Sequence, residues 1–194
     1  MTREEHMAMV AAVKESVQIM VENLIDLDED PPPAAFGVHS GFFSGAERFL
    51  IVAQGQDMDV GNPIHKEILL TEAAPAAVIE NSGVPFLAFV SAAWMLRAKD
   101  LSNPEEIKTT RPSAHPERVE VVGVAAASQA GLSFSSAEMI RPEGAEHPSL
   151  GGWDEAPFDQ PDAQTGGLIP KLLMRGVEKI ALAYAANREW GATR

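Results

Sequence analysis

VPFLAFVSAAWMLR, Val84 to Arg97, is the longest nearly unbroken apolar run in the chain. Phe86, Leu87, Phe89, Val90 and Trp94 recur in it without polar alternation, the pattern of a strand covered on both faces. Such a strand belongs at the centre of a sheet, with Trp94 in the core. Two more apolar runs follow, Val119 to Ala126 and Leu132 to Ile140, separated by a turn at Ser128-Gln129-Ala130-Gly131. They pair as a hairpin beside the first run, with Leu132, Phe134 and Ile140 on one side of the last strand and Ser133 and Ser135 on the other.

Outward from this core the pattern is helical at both ends. Thr2 and Glu5 form a capping box ahead of Met9, Val13, Val17, Met20 and Leu24, which recur at helical spacing. The acidic run Asp26 to Asp30 and the prolines Pro31 to Pro33 end that helix and lead on as an extended linker. At the other end Pro170, Leu173, Val177, Ile180 and Tyr184 define a helix reaching about Asn187, with Trp190 packing its end.

Between the N-terminal helix and the central run, Phe36 to His39 and Glu47 to Gln54 read as a hairpin across Ser40 to Gly45. Its second strand is apolar on both faces beyond Arg48, which predicts a place inside the sheet. Asn62 and Pro63 open a segment through Ile79 that reads best as a helix kinked at Pro75, the alternative being a strand over Ile64 to Leu70 with only the second half helical, and Asn81-Ser82-Gly83 stops it. The polar stretches 98–116 and 142–167 read as long surface loops, the second anchored by Trp153 and Phe158. The expected architecture is a single α+β domain over residues 1–194: one mainly antiparallel sheet of about five strands, with N-terminal, middle and C-terminal helices packed on it. This order of elements resembles that of roadblock-like domains.

The chain has 194 residues, 45% hydrophobic and 22% charged, and no window reaches the roughly 18 apolar residues of a membrane span. The acidic start and the absence of cysteine fit a cytoplasmic protein and remove thiol nucleophiles and thiolate metal sites. A net charge of −13 disfavours direct binding to nucleic acid or an anionic membrane. His65-Lys66-Glu67 has half of the zinc deaminase signature but lacks its two cysteines. His6, His39, His65, His115 and His147 are never paired at the three- or four-residue spacing that puts two imidazoles on one helical face. Asp26, Asp28 and Asp30 run into prolines where a calcium loop needs glycine, and no nucleophile elbow or phosphate loop occurs. No cofactor is expected.

One polar stretch stands out. Arg111, Ser113, His115, Glu117 and Arg118 lie in RPSAHPER at the end of a long loop and just before a strand, where sheets commonly present binding groups. Asp154, Glu155, Asp159 and Asp162 form a looser acidic group that could hold a hard cation through oxygen. The phrases FVSAAWMLR and RPSAHPERVEVV resemble a pattern of uncharacterised bacterial and phage proteins, over the middle third of the chain. That resemblance implies Trp94, Arg111, His115 and Pro116 as a recurring unit, with an acid often at Ala92 or Ala93, and implies no activity.

Three readings remain open. The first is a noncatalytic protein-interaction or assembly module, binding a protein partner or self-associating as a homo-oligomer. The second is a metal-dependent hydrolase with a site near Arg111 and His115. The third is an acidic inhibitor that imitates nucleic acid.

Overall fold

The structure, a computed structural model, describes residues 1–24, 30–44, 50–54, 59, 62–95, 116, 118–156 and 167–192. Its centre is one antiparallel sheet of six strands: β1 (Ala34–Val38), β2 (Leu50–Gln54), β3 (Phe86–Met95), β4 (Val119–Ser128), β5 (Gly131–Ile140) and β6 (Ser149–Glu155). Their order across the sheet is β2-β1-β3-β4-β5-β6. The sixth strand falls inside the stretch expected to be one long loop, so the fold holds four strands after the middle helix instead of three. SLGGWDE was hard to read as a strand because two glycines and two acids break its alternation. It pairs with β5 through a register shift between Ala137 and Met139.

The first half of β3 is buried on both faces, as its composition requires. Phe86, Ala88 and Val90 pack with Met9, Val10, Val13 and Val17 of helix α1 (Arg3–Glu22). Leu87 and Phe89 face the opposite way, toward Leu172, Leu173, Val177 and Ile180 of helix α4 (Leu168–Ala192). Sheet position thus converts an alternating strand into a run with no polar face. Beyond Ser91 the cover ends, and Trp94 is 43% exposed, which corrects its assignment to the core.

α1 begins with the expected capping box: Glu5 N–H donates to Thr2 Oγ1 at 3.1 Å, and Thr2 N–H to Glu5 Oε2 at 2.6 Å. The middle helix is kinked, and its kink is a π-turn. α2 (Pro63–Ile68), the π-turn Leu69–Ala73 and α3 (Ala74–Glu80) form one continuous rod. Ala74 N–H donates to Leu69 O, and Pro75 has no N–H to offer. The carbonyls of Leu70 and Thr71 therefore lose their helical donors. Lys179 Nζ of α4 donates to Thr71 O at 3.1 Å. At Leu70 the neighbour is Gly176, where an added Cβ would lie 2.3 Å from the Leu70 oxygen. The glycine lets α4 approach the π-turn.

β2 departs most from expectation. Its composition predicts an interior strand, yet among the described residues it ends the sheet and pairs with β1 alone, in register from Ala34↔Gln54 to Val38↔Leu50. No described helix is long and apolar enough to cross a membrane.

Candidate functional site

Of the residues singled out in the sequence, Arg111, Ser113, His115, Glu117, Asp159 and Asp162 lie outside the described residues. Arg118 is described, and its guanidinium carbon stands 4.6 Å from the centroid of the Trp94 ring. Trp94 is the register partner of Glu120 on β4. Arg141 forks onto both oxygens of Glu120, at 3.0 and 2.9 Å, and also donates to Asp30 Oδ1 at 2.8 Å. Partial burial and the adjacent Glu120 raise the Asp30 carboxyl, against the pull of Arg141. Burial pushes Glu120 up as well, but the Arg141 fork and the hydrogen bond with Asp30 outweigh it and hold Glu120 below the usual range. Such a split can mark an acid and base pair. Here the fork engages both Glu120 oxygens, so the geometry anchors residue 30, just before β1, to the sheet.

Asp154 and Glu155 occupy successive positions on β6 and so point to opposite faces. Glu155 pairs with Lys14 of α1 and accepts from Ser135 Oγ at 2.7 Å. Burial raises its carboxyl, and those two donors more than reverse the effect, holding it below the ordinary value. Among the described residues no group of three or more histidine, aspartate or glutamate side chains could hold a metal ion.

The described histidines serve the fold. His6 is fully buried, with Nδ1 2.9 Å from Ser128 Oγ and Nε2 2.9 Å from Ser133 Oγ, its ring edge-on to Phe86. A neutral imidazole donates from one nitrogen and accepts at the other, and rotating hydroxyls satisfy both. Burial pushes its pKa down to about 4. The contact ties α1 to the turn between β4 and β5. Nothing in the spacing of the sequence signals it, because its partners lie more than 120 residues away. His147 Nδ1 lies 2.7 Å from Leu24 O, while the Nδ1 atoms of His39 and His65 accept from Gly41 N–H at 3.0 Å and Asp59 N–H at 3.2 Å.

The remaining feature is the free end of the sheet. β2 reads Leu-Ile-Val-Ala-Gln, with no charge and no proline, and Val52 is 45% exposed. Beside it opens a cavity of about 600 Å³ lined by Leu50 to Val52, by Glu80, Asn81 and Ser82, and by His39. Ser82 holds φ of 53°, in the left-handed region that glycine prefers. That conformation is locked from both sides: Ser40 N–H donates to Ser82 O at 3.1 Å, and Gly83 N–H to Val78 O at 2.8 Å. Gly83 does not take the left-handed role expected of a glycine at a helix stop. It is needed for space, since a Cβ there would meet Val78 Cγ1 at 2.6 Å. The opposite edge of the sheet differs. β6 carries Asp154, Glu155 and a register shift, and charges and bulges are devices that keep an edge from pairing. Comparisons with protein-family models, curated proteins and solved structures found no match.

Proposed function

We propose that this chain is a noncatalytic protein-interaction module that engages a partner through the open edge of β2. The observation that supports the reading most is the mismatch between the composition of β2 and its place. A strand apolar on both faces, with no charge and no proline, lacks the devices that guard an edge, and among the described residues this one has a neighbour on one side only. A strand added by a partner supplies the second neighbour, with backbone hydrogen bonds giving affinity and side chains at alternate positions giving selectivity. The contrast with the guarded β6 edge supports the same reading, because one edge is protected against pairing and the other is not. The histidines at positions 6, 39, 65 and 147 add support, each having a ring nitrogen engaged in a contact within the fold.

The test is affinity capture from the native host with the wild-type chain and two variants, each bearing one new surface lysine. Val52→Lys places a charge on the β2 edge. Leu182→Lys places one on α4, where Leu182 is 70% exposed. The expected result is a partner retained by wild type and by Leu182→Lys and lost from Val52→Lys. Identical retention by all three, with all three folded by circular dichroism, would refute the reading.

A further inference from the structure

Resting on the reading of β2 as a docking strand, we infer that its occupant is an extended basic segment of another protein, which adds as a seventh strand and places a lysine or arginine side chain in the cavity beside Glu80. The cavity is the reason for the charge. Among the described residues Glu80 is the only acidic one lining it, and its exposed carboxylate makes no ion pair with any of them. Asn81 donates its side-chain amide to Ala77 O at 2.8 Å, which leaves Oδ1 as its remaining acceptor. Both residues lie where the rod of α2, the π-turn and α3 ends, and the C-terminal end of a helix carries partial negative charge. A carboxylate, an amide oxygen and a helix C-terminus together favour a cation.

The same cavity borders β2, so one ligand can use both features. A segment paired along Leu50 to Val52 would lie against the lining that these residues share with Glu80, and a long cationic side chain could cross the cavity while its backbone stays on the edge. The strained Ser82 is consistent with a site held in a set geometry, since non-glycine residues in this region persist only where surrounding contacts enforce them.

A second copy of the chain fits less well. Five residues of strand offer about 17 Å of edge, room for one short extended segment. Two copies would also each bring a net charge of −13, and like fields oppose their approach. A basic peptide is instead drawn toward the chain by that field.

The experiment pans a random seven-residue peptide library, displayed on phage, against the full chain. Enriched peptides are then titrated by fluorescence anisotropy against wild type, Glu80→Gln and Val52→Lys. Expected are peptides with apolar residues at alternate positions and one fixed Lys or Arg. Their affinity should fall about two- to fivefold for Glu80→Gln, the loss of one exposed ion pair. It should fall with added salt and be lost with Val52→Lys. Enriched peptides that are acidic, or that bind Glu80→Gln as well as wild type while losing Val52→Lys, overturn the basic occupant and leave the docking edge standing. Peptides indifferent to both substitutions, or no enrichment together with unchanged partner capture by Val52→Lys, overturn both.

Discussion

Gly176 lies within α4, where alanine would ordinarily stabilise a helix by roughly 1 kcal/mol. Here the added Cβ would stand 2.3 Å from Leu70 O, 2.6 Å from Leu87 Cδ1 and 3.3 Å from Pro75 Cγ. Leu87 can shift its side chain, but the Leu70 carbonyl is backbone, held in the π-turn with Pro75 beyond it. Relief therefore requires α4 to retreat by about 1 Å, since ordinary contact begins near 3.4 Å. That motion loosens Leu172, Leu173, Val177 and Ile180 from the face of β3. Overpacking of this kind costs about 1–3 kcal/mol, and a backbone clash belongs at the upper end. After the gain in helix propensity, Gly176→Ala should destabilise by about 2 kcal/mol. For a chain of this size that lowers Tm by roughly 4–8 °C. Urea titration followed by circular dichroism, with thermal melts alongside, measures it. Gly152→Ala is the control, because nothing lies within 4 Å of a Cβ at that position. A Gly176→Ala midpoint equal to or above wild type would refute the account of how α4 seats on the π-turn.

Three other perturbations test separate parts of the fold. The pKa of His6 in the folded chain, about 4, lies below its ordinary 6.5, so the unfolded chain takes up the proton first. Its stabilising contribution is complete above pH 6.5 and is lost as pH falls toward 4, by about 3 kcal/mol in all. Urea midpoints of wild type and His6→Gln across that window should converge as pH drops, and curves that stay parallel would contradict the buried neutral ring. Thr2→Ala removes the acceptor for Glu5 N–H and should cost about 1 kcal/mol with an unchanged denaturant slope. Ser82→Gly should stabilise the free chain by about 0.5–1 kcal/mol, because glycine adopts φ of 53° without strain; a lower melting temperature would show that the hydroxyl carries more than the backbone conformation does.

Features set by local chemistry could be read from the sequence. The capping box at Thr2 and Glu5, the proline opening α2, the turn after Ser128 and the doubly buried start of β3 each depend on residues within a few positions of one another. Features set by distant partners could not. His6 looks like an isolated histidine until Ser128 and Ser133 close around it. Ser133, Ser135 and Ser136 are buried on β5 while Phe134 and Ile140 beside them are 40% and 43% exposed, the reverse of what hydropathy alone suggests. Trp94 was misplaced for a related reason: its strand is apolar throughout, but helical cover reaches only the first half. The β2 cavity was not legible. Arg118 belongs to the stretch singled out and stacks on Trp94, whereas Glu80 and Ser82 looked like an ordinary helix end.

The misreading of β2 bears on how many partners one chain can take. Hydropathy within a strand reports which of its faces are covered, and sheet order reports how many strands flank it; β2 is apolar on both faces and, among the described residues, is flanked by β1 alone. Had both edges been open, chains could add head to tail without closure and grow into filaments. At β6, Asp154 and Glu155, together with the register shift at Ala137 and Met139, oppose that outcome. On the proposed reading, association is thereby confined to one edge. A strand added at β2 would leave no second unguarded edge among the described residues, and the proposed complex would end at one partner segment per copy.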